Sequence, residues 1–244
     1  WQASETPWLN MDYWRKNERQ YTAEDLAGKS CWAGLDLSAT KDFTALCLMF
    51  PEDDGTYRGL WYYWLPEETA NAYRTKIDID RWLKDPRVNL TLTEGATVHY
   101  GYIRSHMRKL HEIYKIQELA YDDWNAEQTT QEIEQGVTNM NGVVIEQATY
   151  IPRFNFTQSL RHLNEPTKSF EVDIIRGKLL HNGDPLTTWM IGNTMVKPDV
   201  NGNIRPVKPK RNGINKIDGT VAAIMARARA SAGNNYSAIS MAFV

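Results

Sequence analysis

Three acidic positions, far apart in the chain, have residue types and settings suited to divalent-metal chemistry: Asp36 in CWAGLDLS, Asp122 in YDDWNA and Asp218 in KIDGTV. Asp36 lies on a strand-like run beside a neighbour that is apolar on both faces, a costly place for a charge unless something pairs with it. An Asp on a solvent face is the simpler alternative. Asp122 and Asp123 stand where a strand ends before a helix, which is where open α/β sheets place functional groups; spacing alone does not choose between them. Asp218 opens the last helical pattern and could equally be an ordinary N-cap. Two unit charges about 4 Å apart repel by roughly 4 kcal/mol at an effective dielectric near 20, so converging carboxylates require cations or protons. With no His or Cys at zinc spacing, all-oxygen donors favour Mg²⁺ or Mn²⁺. Two such ions would clamp the attacking water and the leaving oxygen of a phosphodiester.

A competing motif overlaps the first of these sites. Ala23 to Ser30, AEDLAGKS, fits the loosest form of a phosphate-binding loop. Such a loop must connect a strand to a helix N-terminus. Here Glu18–Ala27 is helix-like, Gly28 occupies a helix C-cap position and Cys31 begins a strand, so the order is reversed. Nucleotide binding through Lys29 is therefore disfavoured, and no organic cofactor is expected.

The elements that must position the carboxylates follow from periodicity. A polar, helix-compatible segment over 12–28 precedes three strands, Cys31–Ser38, Phe43–Pro51 and Tyr57–Leu65, the last two joined by a Glu52-Asp53-Asp54-Gly55 turn. Cys31, Ala33, Leu35 and Leu37 share one face of the first strand; Trp32, Gly34, Asp36 and Ser38 share the other. Helical spacing follows at Ile79, Trp82 and Leu83 and at Ile103, Met107, Leu110 and Tyr114. A strand over Ile116–Asp122 leads to a helix opened by Asn125, whose spacing to Gln128 suggests a capping box. Val143–Glu146 reads as another short strand. The stretch to about Arg176 reads as helix, and Pro185 starts a further one. Asn201-Gly202 marks an exposed hairpin within Val196–Val207, and Asp218–Ser231 closes the chain as a helix. This order predicts an α/β fold with a mixed sheet.

Composition supports an ordinary folded domain: 244 residues, 42% hydrophobic, 24% charged and nine Trp. No uninterrupted apolar run is longer than that of Ala45–Phe50, far short of the roughly 20 residues of a membrane span, and no signal-peptide pattern opens the chain. Cys31 and Cys47 read as reduced core thiols. The formal net charge of −2 argues against bulk electrostatic coating of nucleic acid. Between Lys197 and Lys216, however, Lys197, Arg205, Lys208, Lys210, Arg211 and Lys216 face only Asp199, an excess that suits either a solvated loop or a grip on a phosphate backbone.

The segments GLDLSATKDFTAL (34–46), YDDWNA (121–126), HNGDPLTTWMIGN (181–193) and VKPDVNGNIRPVKPKRNGINKIDGTVAAIMA (196–226) together resemble the nuclease domain of tailed-phage terminase large subunits. The resemblance implies a ribonuclease-H-like mixed sheet, three antiparallel strands followed by parallel strands and flanked by helices, with the first strand beside the fourth. It favours Asp122 over Asp123 as the carboxylate and leaves Asp123 as an extra ligand or supporting group; Asp42 also matches, as a residue that orders the turn. It implies residues 1–30 as linker and helical segment, 31–232 as the nuclease domain and 233–244 as a tail. The implied activity is metal-dependent endonucleolytic cutting of concatemeric viral DNA with little sequence preference during packaging. Asp36, Asp122 and Asp218 would hold two Mg²⁺ or Mn²⁺ ions, while Arg205, Lys208, Lys210, Arg211 and Lys216 would hold double-stranded DNA. Implied partners are a terminase ATPase domain, absent from this chain, a small terminase subunit and a portal, in the host cell cytoplasm and with no membrane. The alternatives are another ribonuclease-H-like nuclease, such as a recombinase or junction resolvase, or a catalytically silent docking module of the packaging motor.

Overall fold

The computed structural model describes residues 6–38, 42–209 and 214–241. The first half of the chain forms β1 (Thr6–Pro7), α1 (Met11–Lys16), β2 (Ser30–Asp36), β3 (Thr44–Pro51), β4 (Tyr57–Pro66), α2 (Glu67–Tyr73), α3 (Ile79–Trp82), β5 (Asn89–Thr93), α4 (Tyr100–Ile113) and β6 (Lys115–Tyr121). The second half forms α5 (Asp123–Gln135), β7 (Val137–Thr138), β8 (Val144–Glu146), β9 (Arg153–Asn155), α6 (Leu160–Ile175), β10 (Leu179–His181), α7 (Pro185–Asn193), β11 (Met195–Val196), β12 (Pro206–Val207) and α8 (Asp218–Met241).

The predicted mixed α/β sheet forms, in the order β10-β4-β3-β2-β6-β9 with β5 also paired to β4. The β2–β3–β4 meander is antiparallel, whereas β6, β9, β10 and β5 join in parallel. Every residue of β3 except Pro51 is buried, as its continuous apolar run requires of a strand covered on both faces. The alternation in β2 divides its residues between two cores. Cys31, Ala33 and Leu35 pack with Ile103, Met107 and Leu110 of α4, while Ala45, Cys47 and Met49 of β3 face α8 on the other side. Each fully buried Ile, Met or Leu of α4 contributes roughly 1.5–3 kcal/mol of burial. In α8, Val221 through Ala226 are all buried, so this helix lies against the sheet rather than on the surface.

Several local expectations are corrected. The 12–28 segment is helical only over α1 and in a short 3₁₀ turn at Glu24–Leu26. Helix propensity yields there because Asn17 donates its side-chain amide to the Ile174 carbonyl at 2.7 Å, and the chain then runs extended beside His181. This segment contributes Trp14, Tyr21 and Leu26 to the core. Helix α5 starts at Asp123 after an extended Asp122, not at Asn125. The Val144–Glu146 strand pairs with β7 in a separate two-stranded sheet. Within the stretch expected to be helical up to Arg176, Arg153–Asn155 instead forms the sheet edge β9, and β5 and β10 were also unanticipated. The closing helix extends beyond Ser231 to Met241.

The Asn201-Gly202 hairpin is present, with Gly202 at φ 75°. Its tip is tied by Asp199, whose Oδ1 accepts from the backbone of Asn201 and Asn203 at 2.8 Å each. The ribbon is anchored to α6 where Asn164 Oδ1 accepts from Ile204 N at 2.9 Å. That anchorage fixes the approach of Arg205 and Lys208 to the sheet.

Candidate active site

Parallel pairing of β2 with β6 sets Leu35 opposite Tyr121, so the next residues along each strand, Asp36 and Asp122, leave the same end of the sheet. Asp218 reaches that end on the first turn of α8. Its position is fixed by Gly219, whose carbonyl accepts from Trp61 Nε1 at 3.0 Å and whose Cα packs on the Tyr63 ring. Asp36, Asp42, Asp122 and Asp218 line one cavity of about 550 Å³, together with Gln158, Arg205 and Lys208.

The electrostatics are those of a crowded acidic site. Burial drives the Asp36 carboxyl well above its ordinary pKa, with Asp218, Asp122 and Asp42 adding to the rise and Lys208 opposing it. Burial, followed by Asp42, raises Asp218 to about 6 against the pull of Lys208. Asp42 goes the other way. Burial would raise it, but Lys208 at 2.5 Å and Lys216 at 2.9 Å hold it below the usual carboxylate range. Lys208 also lies 3.3 Å from Asp218 Oδ1, and these two carboxylates raise its own pKa although burial lowers it.

Among the described residues, no three His, Cys, Asp or Glu side chains form a ready-made ligand set for one ion. The donor chemistry nevertheless fits a hard divalent cation. The facing carboxylates supply only oxygen, and Asp218 Oδ2 is buried with no hydrogen-bond partner among the described residues. An orphaned buried carboxylate oxygen is costly, and a cation from solution would satisfy it.

Residues 1–234 match the family model for the terminase large subunit, endonuclease domain. The chain belongs to this family. Among the relatives of this terminase endonuclease domain is Protein YmfN of Escherichia coli (strain K12), 29% identical over 242 residues, covering 94% of the chain and 50% of that protein. The terminase large subunit of Enterobacteria phage HK97 is 27% identical over 228 residues, covering 86% of the chain and 42% of that protein. The chain thus spans about half the length of the curated relatives it matches. The crystal structure of the HK97 large terminase superposes with a TM-score of 0.76 at 24% identity, over 92% of this chain and 43% of that one. The large terminase nuclease of thermophilic phage G20c, solved with bound magnesium, superposes with a TM-score of 0.50 at 9% identity, over 86% and 83% of the two chains. These structural matches bear on the fold, which is that of the ribonuclease-H-like terminase nucleases.

Within this terminase domain, Asp36, Asp122 and Asp218 are brought to one cavity with Arg205 and Lys208. Lys216 is buried, 6% exposed, and its ammonium is taken up by Asp42 and the face of Tyr73. Lys210 and Arg211 lie outside the described residues, and the side chain of Asp123 is likewise not described. Two cavity residues had no assigned role in the chemistry. Asp42 joins Lys208 to Lys216, and its only sequence signal was the family pattern. Gln158 gave no signal at all. No helix among the described residues is long and apolar enough to cross a membrane.

Proposed function

We propose that this domain is a divalent-metal-dependent endodeoxyribonuclease that cuts concatemeric viral DNA, with little sequence preference, as the nuclease half of a packaging terminase. The observation that carries this reading is the shared cavity of Asp36, Asp122 and Asp218, with Asp218 Oδ2 buried and unpartnered among the described residues. The magnesium bound to the G20c nuclease supports the same assignment. Asp36, Asp122 and Asp218 would hold two Mg²⁺ or Mn²⁺ ions, with Asp123 as a further candidate ligand. Bound metal supplies charge neutralisation and electrophilic stabilisation of the scissile phosphate.

The remaining work belongs to the protein. Burial of Asp36 and Asp218 keeps their charge dependent on a cation, a need that Lys208 meets only in part and that a divalent ion would complete. Arg205, exposed and lining the cavity, and Lys208 present positive charge to an incoming backbone. Lys210 and Arg211 extend that charge along the chain. Phosphate contacts of this kind orient a duplex without reading its bases. Lys216 acts through Asp42, which it shares with Lys208. By the same reading the domain works beside an ATPase motor, a small terminase subunit and a portal, in the host cell cytoplasm.

The test is digestion of supercoiled plasmid by the purified domain in Mg²⁺, Mn²⁺ and EDTA, beside Asp36→Asn, Asp122→Asn and Asp218→Asn. Nicked and linear products are expected with either metal, none with EDTA and none from the variants. Plasmid left intact by the wild-type protein in both metals would overturn the proposal.

A further inference from the structure

Two residues that line the acidic cavity, Asp218 and Gln158, each carry a buried side-chain atom with no hydrogen-bond partner among the described residues: Asp218 Oδ2 and Gln158 Nε2. They are opposite in sense. The carboxylate oxygen lacks a positive partner and the amide nitrogen lacks an acceptor. Leaving a buried donor unsatisfied costs roughly 1–3 kcal/mol, so such a group calls for an explanation in what the site binds. A metal ion answers only the first orphan. A phosphodiester seated over the carboxylates brings anionic oxygens for the second.

The backbone around Gln158 is held on both sides. Phe156 N donates to the carbonyl of Tyr121 at 2.7 Å, which ties the segment to the residue immediately before Asp122. Ser159 caps α6 by accepting from His162 N. Gln158 is thereby registered against the acidic end of the sheet. Its amide is also neutral. It donates without competing for the carboxylates, whereas the Lys208 ammonium sits on Asp218.

We infer that Gln158 is a substrate-contacting residue of the nuclease site, donating from Nε2 to a non-bridging oxygen of the scissile phosphodiester. This rests on the endonuclease reading above and adds a protein hydrogen-bond donor to a site otherwise composed of carboxylates and cations. Removing one preorganised donor to developing charge typically costs on the order of 10²–10³ in rate.

The experiment compares wild type with Gln158→Leu and Gln158→Met, which keep the volume and delete the donor, and with Gln158→Glu, which replaces it with an acceptor. Cleavage rate in Mn²⁺, calorimetric Mn²⁺ affinity and metal-free thermal midpoint are measured on each. Duplex affinity is measured in an Asp36→Asn background that does not cut. Gln158→Leu and Gln158→Met are expected to cleave roughly 10²-fold more slowly, to bind duplex more weakly, and to bind Mn²⁺ as wild type does. Their midpoints should equal or exceed that of wild type, because an unsatisfied buried donor is gone. Gln158→Glu should cleave least. If one variant fails to fold, the other carries the comparison. Wild-type cleavage by the donor-free variants would overturn the inference while leaving the endonuclease reading intact; a wild-type domain inert in Mn²⁺ would overturn both.

Discussion

Gly34 of β2 and Ala222 of α8 are in direct backbone contact: a methyl group added to Gly34 would stand 2.1 Å from the Ala222 carbonyl oxygen and 2.7 Å from the Ala226 nitrogen. Helix α8 therefore lies on the strand with no side chain between them. Asp36 follows Gly34 by two residues, and Asp218 precedes Ala222 by one helical turn, so this contact sets their separation. Gly34→Ala forces the helix away from the strand. Overpacking of this kind costs about 1–3 kcal/mol. The expected outcome is a lower thermal midpoint together with a loss of cleavage and of Mn²⁺ affinity in protein that is still folded. Unchanged Mn²⁺ affinity would show that the helix position does not set the site.

Lys208 is a cation that the chain itself supplies to the acidic site, 2.5 Å from Asp42 and 3.3 Å from Asp218. Removing one partner from a partly buried charge cluster leaves the others uncompensated. Lys208→Met should therefore lower the metal-free midpoint at neutral pH. Mn²⁺ should restore it, giving a larger metal-induced shift in the variant than in wild type, since stabilisation by a ligand follows its affinity for the folded state. Differential scanning calorimetry with and without Mn²⁺ reads this directly. Equal shifts in the two proteins would mean that Lys208 and the metal do not share the carboxylates.

The parts of the fold legible in the sequence are those where burial imposes a period. The β2–β4 meander, β6 and α8 are long enough for alternation or helical spacing to show, and Asp36, Asp122 and Asp218 are placed by these elements. The edge strands β9 and β10 have three residues each and β5 has five. They are strands because a neighbour pairs with them: Arg153–Asn155 is half-exposed or exposed, and its register comes from β6. The helix expected over 12–28 failed for a related reason, a long-range bond from Asn17 to Ile174 that no local pattern announces. Within the site, Lys208 is one of several basic residues in its run. Only the three-dimensional anchoring of the ribbon through Asn164 distinguishes it from Lys197, and Gln158 is placed by the tie between Phe156 and Tyr121.

The Gly28-Lys29-Ser30 sequence gives a further check. Lys29 Nζ is paired with Glu52 Oε1 at 3.0 Å, and a strand, not a helix, follows Ser30. An exposed pair of this type is worth about 0–1 kcal/mol. Lys29→Ala should leave the midpoint nearly unchanged and the cleavage rate untouched, and ATP should give neither protein a thermal shift. An ATP-dependent shift lost in Lys29→Ala would restore the phosphate-loop reading.

Metal binding should depend on pH through Asp218. Burial raises this carboxyl from 3.8 to about 6, and a metal ligand must be deprotonated. Mn²⁺ affinity is therefore expected to fall as pH drops below about 6, with proton release on binding that is larger there than at neutral pH. The metal-free protein behaves in the opposite direction. A carboxyl raised on folding contributes stability that is fully present below its unfolded pKa and is lost as pH rises through the folded value. Asp218→Asn should remove that loss. Calorimetric titration in buffers of different ionisation enthalpy separates proton release from binding, and affinity independent of pH across this window would contradict the assignment.

Asp184, which is not among the residues lining the carboxylate cavity, offers the same linkage. It caps α7, with Oδ1 accepting from Leu186 N at 2.7 Å and Thr187 N at 3.1 Å, and Oδ2 accepting from Thr187 Oγ1 at 2.9 Å. Burial raises its pKa from 3.8 to about 7, although these hydrogen bonds pull it down. The sign follows from the raised value: the stability it contributes is complete below 3.8 and is lost as pH rises through about 7. Asp184→Asn retains the Oδ1 acceptor for the helix N-terminus and removes the titration. Relative to wild type, the metal-free variant should gain stability progressively as pH rises from about 4 to about 8, by up to a few kcal/mol. The two proteins should converge at the acid end. Paired thermal melts in EDTA across that range measure the gap. A gap that does not change with pH would show that the buried carboxyl is already charged throughout, held by its capping bonds.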